Sequence, residues 1–258
     1  MAEMAAGRGK PLADLPDAPT ARQGHVLAIV HLLAAAILLL GSFCFQLSAS
    51  NTRWLDHAQG AAGYRIDDNR FDYYLNTNPA IFLPGTHLPF GVGLLLQAAG
   101  LAFLVAALFV LRPRPSLAVR RTVLPLATVA VAWYAFAGAY SVYTGLSGLL
   151  YDGFFLDWLV TLLMFLSSPA LLVLGILAWR RMPAIGMALL FLTSTGPESY
   201  LFIAPIIAAV ITGYDAVDAV PGAETVMAVG TAMASATALL AAAQLIRRSR
   251  KARGKSDE

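Results

Sequence analysis

Charge is scarce in this chain. Asp, Glu, Lys and Arg make up 13% of its 258 residues, against about 25% in an ordinary soluble domain. Apolar residues make up 58%, where about 45–50% is usual. A soluble protein of this length has no interior large enough to hide so much apolar surface, so the expected solvent is lipid.

Other shortages exclude particular chemistries. Cys44 is the single cysteine, so neither an internal disulfide nor a thiolate metal cluster can form. It lies in an apolar run, where a free thiol behaves as a small hydrophobe. No lysine lies within any long apolar run, which removes a retinal-type Schiff base. His25 and His31 sit near the start of the first run and the later runs hold no histidine, so a haem held between facing helices is not expected. The same lack leaves Ser147 of "GLSGLLYDG" without an imidazole base for nucleophilic work. Neither a P-loop nor an H-E-x-x-H motif occurs, so ATP hydrolysis and zinc peptidase chemistry of that type are not indicated. No residue pattern specifies a cofactor.

What is present is six long apolar runs: about 25–48, 88–111, 122–146, 157–179, 183–213 and 223–246. A membrane helix needs about 20 mainly apolar residues. The runs are continuously apolar and do not alternate, which argues for helices and against spanning strands. Residues 1–23 are polar and aperiodic, with Pro11, Pro16 and Pro19, and are expected to form a disordered tail. A cleaved signal peptide is the competing expectation for the start, but the first run is long enough to span and lacks a small-residue cleavage site. The six-helix domain is expected over 24–246, followed by a basic tail over 247–258.

The basic residues mark sidedness. All of the 18 except Arg53, Arg65 and Arg70 fall in the tails or in the 112–121 and 180–182 turns. Six helices with both termini cytoplasmic put those segments inside, as the positive-inside rule requires. The acids Asp56, Asp67, Asp68, Asp72, Asp152, Asp157, Asp215, Asp218 and Glu224 then fall outside. A pI near 9.1 is thus explained by topology and not by a nucleic-acid partner. Frequent Ala and the excess of Arg over Lys suit a GC-rich bacterial genome, hence an inner-membrane location.

One connection is long. Residues 49–87 form an expected extracytoplasmic loop between helices one and two, carrying Trp54, Asp56, His57, Asp67, Asp68, Asp72 and His87. Structureless loops beyond about 12–15 residues are often functional. Two imidazoles and several carboxylates are the residue types of a divalent-metal site, but no spacing matches a metal motif, so no metal is expected. A solvated loop with local ion pairs to Arg53, Arg65 and Arg70 is expected, and a surface that docks other membrane subunits is the alternative. Trp54, Trp158, Trp179, Tyr140, Tyr143 and Tyr151 suit interfacial aromatic belts.

The stretch "FLTSTGPESYLFIAPI", residues 191–206, stands out. Glu198 is midway along the fifth run, where an ionised acid costs roughly 2.5–3.5 kcal/mol on insertion scales. Pro197 lacks a backbone donor and breaks or kinks a helix, and Gly196 precedes it. Thr193, Ser194, Thr195 and Ser199 are placed to bond the backbone groups so freed. Broken helices with polar groups at mid-membrane recur in transporter sites. Ser167, Ser168, Gln97, Tyr134, Thr231, Ser235 and Thr237 lie at central positions of other runs and are expected to face Glu198 or to serve as small-residue packing. A protonated Glu198 acting only as structural glue is one plain alternative, and a bent or shifted fifth segment that brings Glu198 to the outer interface is another.

The resulting expectation is an all-α integral membrane protein of non-enzymatic type, either a small transporter or channel-like protein or an accessory subunit. The alternative is a membrane-embedded enzyme acting on a lipid or isoprenoid, with Glu198 as general acid.

Overall fold

The computed structural model describes residues 18–56, 85–111, 117–149, 154–213 and 222–254. The candidate loop residues His57, Asp67, Asp68 and Asp72, and Tyr151 of the expected aromatic belt, lie outside them.

Among the described residues the protein is all-helical. Helix α1 is Ala18–Asn51 and continues into a π-helical turn, Thr52–Asp56. Helix α2 is His87–Val110, α3 is Leu117–Ser147 and α4 is Phe154–Trp179. Helix α5 is the short Pro183–Thr193, and α6 is Ala204–Thr212, preceded by a π-helical turn at Ser199–Ile203. Helix α7 is Ala223–Gly254. Among the described residues, five helical stretches are long and apolar enough to cross a membrane: Gln23–Trp54, His87–Val110, Val119–Ser147, Trp158–Trp179 and Ala223–Lys251. The fifth apolar run is not one helix but two short ones.

Local sequence explains the ends. Pro183 opens α5, where its missing donor costs nothing. Gly213, at φ 69°, closes α6 in the left-handed conformation. Both ends of the stretch expected as a loop over 49–87 are helical, since helical backbone runs on through Asp56 and α2 already begins at His87. Trp54 and His87 are therefore helix-end residues and not loop residues.

The helices pack in a ring. α1 lies against α2 and α7, α3 joins α2 to α4, and α5 joins α4 to α7. Residue pairs fix the direction of α7 against α1. Ser50 meets Thr225, and Ser235 donates to the Ala36 carbonyl, so the two helices are antiparallel. Leu108, Val119 and Leu177 line one shallow groove, which places the end of α2, the start of α3 and the end of α4 together. Arg120, Arg121, Arg180 and Arg181 cluster at that end of the bundle, and antiparallel α7 brings Arg247, Arg248 and Arg250 to the same end.

The layering is that of a bundle whose solvent is apolar. Small residues point inward: Ala28, Ala35, Ala36, Ala130, Ala188, Ala234 and Ala238 are buried. Large apolar ones point out, with Ile37 at 70% and Val210 at 80% exposure. Small residues let helices approach closely where lipid gives no hydrophobic drive for association. Gly91 shows how close, since a Cβ there would sit 2.6 Å from the Val142 nitrogen and 2.7 Å from the Gly138 oxygen. Trp158 and Trp179, near the two ends of α4, are both exposed, as belt residues would be.

Candidate functional site

The break in the fifth run is built by its own residues. After Leu192 the backbone tightens into i→i−3 bonds: Ser194 to Phe191, Thr195 to Leu192 and Gly196 to Thr193, at 3.1–3.2 Å. Pro197 then has no donor to give. The turn loosens into a π-helical one beyond it, with the Ala204 amide reaching back to the Ser199 carbonyl. The expected hydroxyls bond the carbonyls at the end of α5. Thr193 Oγ1 donates to the Leu190 oxygen at 2.6 Å, Ser194 Oγ to Phe191 at 2.6 Å and Thr195 Oγ1 to Leu192 at 2.8 Å. Ser199 is buried on the following turn.

Glu198 projects from this break toward α4. Ser168 Oγ donates to Glu198 Oε2. Glu198 Oε1 is enclosed and makes no hydrogen bond to a protein group. Gly196 is needed for this approach, because any Cβ there would run into Ser168 Oγ. Ser168 is near the middle of α4, so Glu198 lies level with the centre of that helix.

Gln97 and Tyr134 both hydrogen-bond to Thr195. Gln97 Nε2 donates to Thr195 Oγ1 at 2.6 Å, and Tyr134 OH lies 3.0 Å from the same oxygen and 3.2 Å from the Leu192 carbonyl. Gln46 extends the chain, donating to Gln97 Oε1 at 2.7 Å and to Ser42 Oγ at 2.9 Å, and receiving Thr231 at 3.4 Å. This buried network thus joins α1, α2, α3 and α7 to the broken segment. Thr195 thus bonds to α2 and α3, and Glu198 to α4. Ser167 turns back on its own helix, donating to Met164. Ser235 bonds the α1 backbone as packing glue, and Thr237 bonds its own helix.

A second polar cluster was not anticipated. Arg53 Nη1 lies 2.9 Å from Glu224 Oε1, with both side chains 1% exposed. Trp54 Nε1 donates to Glu224 Oε2 at 2.6 Å, and the Arg53 guanidinium stands 5.2 Å from the Trp54 ring centre. Tyr200 OH donates to Glu224 Oε1 at 3.4 Å and accepts from Arg53 Nη1 at 3.5 Å, both long and weak bonds. His87 is buried at the first position of α2. The cluster occupies the end of the bundle away from the arginines. Its sequence signal was available: opposite charges flank the first and sixth runs on the same side of the expected topology.

The chain matches no protein-family model, no curated protein and no solved structure, so the functional argument rests on these side chains.

Proposed function

We propose that this is an integral membrane protein of six spans, the fifth broken at Gly196–Pro197, that moves protons in the course of transport, with Glu198 as the proton-carrying group. The two termini and the arginine-rich end lie in the cytoplasm of a bacterial inner membrane, by the positive-inside rule, and the 57–86 segment joins α1 and α2 outside.

One observation carries the reading. Glu198 is an ionisable group at a helix break level with the centre of α4, with one carboxyl oxygen bonded to Ser168 and the other enclosed without a protein partner. An intramembrane acid is expensive and marks a pathway or relay by default. A plain structural carboxyl would be expected to bond through both oxygens, since a buried polar atom left unpaired costs about 1–3 kcal/mol. A carboxyl among hydroxyls suits a proton better than a larger cation, which would ask for several oxygen ligands.

The test is proton flux into liposomes that hold the purified protein and a trapped pH-sensitive dye. After a step in external pH, protein-containing liposomes are expected to equilibrate faster than protein-free ones. Equal rates, with the protein shown to be folded and inserted, would count against the proposal.

A further inference from the structure

The turn that follows Glu198 has two faces. Glu198 meets Ser168 of α4, while Tyr200, two residues on, reaches Arg53 at the end of α1 and Glu224 in the first turn of α7. Side chains two apart on a helical turn point to opposite sides, so this turn is a wedge between α4 and the α1–α7 pair. α1 and α7 are themselves fastened beside it by the Arg53–Glu224 ion pair, by Trp54 on the second carboxylate oxygen and by the Ser50–Thr225 contact at 2.9 Å.

We infer that Arg53, Glu224 and Tyr200 form a gate at the end of the bundle away from the arginines, closing access to the Glu198 site from that side. The inference rests on the proposed role of Glu198 for its purpose but not for its geometry. A buried ion pair is a poor source of net stability, and such pairs are best attested as devices that select one arrangement over another. Here the arrangement selected is α1 against α7 with the broken turn drawn in. The bonds from Tyr200 to the pair are long, at 3.5 and 3.4 Å, against 2.9 Å for Arg53 and 2.6 Å for Trp54 on Glu224. Ser199, on the same turn and next to Glu198, is 3% exposed.

The experiment reads access directly. Ser199→Cys is introduced with Cys44→Ala, which removes the exposed native thiol. A membrane-impermeant thiol reagent is added to the extracytoplasmic side of sealed membranes. Labelling of the new thiol is expected to be slow with the gate intact. Glu224→Gln is expected to speed it by at least about tenfold, because it leaves the Arg53 charge uncompensated and so weakens the α1–α7 contact. The exchanged pair, Arg53→Glu with Glu224→Arg, is expected to bring the rate back down. Should Glu224→Gln not accumulate as folded protein, Tyr200→Phe tests the same latch with a smaller perturbation and is expected to give a several-fold increase. Unchanged labelling in the folded variants would overturn the gate. Since the readout is access and not proton flux, it stands even if Glu198 carries no proton, and a flux failure leaves it untouched.

Discussion

Replacing Glu198 by Gln is expected to bring proton flux down to the level of protein-free liposomes while leaving the fold almost unchanged. Gln keeps the volume of Glu, and its amide oxygen can still accept from Ser168, the contact that fastens the carboxyl to α4. What Gln cannot do is take up and release a proton. The unfolding midpoint is therefore expected to move by no more than roughly 4 °C, the shift for about 1 kcal/mol in a protein of this size. Flux and thermal unfolding measured on one preparation separate the two roles. Wild-type flux in the Gln variant would remove Glu198 from the mechanism. A large loss of stability with the flux retained would assign it to structural glue.

The largest stability effect is expected at Arg53. Arg53→Leu leaves the Glu224 carboxylate buried with its counter-charge gone, and removing one partner of a buried pair costs about 3–5 kcal/mol. That corresponds to a fall of roughly 6–20 °C in unfolding midpoint at about 2–4 °C per kcal/mol. Adding Glu224→Leu to Arg53→Leu is expected to recover much of the loss, because the pair's mutual attraction mainly offsets its own desolvation. Trp54 Nε1 then loses its acceptor, so recovery stops short of complete. Thermal unfolding of the two single variants and the double closes the cycle. A single-variant cost below about 1 kcal/mol, the range of solvent-exposed pairs, would show that the cluster is wetter than its 1% exposure implies.

The parts of this protein that could be read ahead of the structure are those set by local chemistry. Six apolar runs follow from the solvent. The break at Gly196–Pro197 follows from a missing donor, and three of the four hydroxyls named for it bond backbone carbonyls there. Ser168 could be named as a partner of Glu198 because both fall midway along their runs. The parts that could not be read depend on how distant segments meet. Gln97 and Tyr134 sit at the right depth, but helix rotation turns them to Thr195. Gln46 stands past the middle of its run and was passed over, although it ties three helices together. Arg53 and Glu224 flank apolar runs, and a charge in that position reads as solvated until its partner, far away in the chain, is seen beside it. Trp54 reads as a loop residue in the sequence for a related reason: apolar periodicity fades before the helix ends.

The protonation of Glu198 itself is the measurement that decides most. A hydrophobic carbodiimide reaches carboxyls from the lipid phase and reacts with the protonated form. The protein in liposomes is treated across a pH series, and the modified residue is located by peptide mass spectrometry. The proposed role predicts a label on Glu198 at low pH that falls away as pH rises, with a parallel loss of proton flux in the labelled protein. A Glu198 that stays unmodified throughout the series while other carboxyls react, or one whose modification leaves the flux intact, would contradict it.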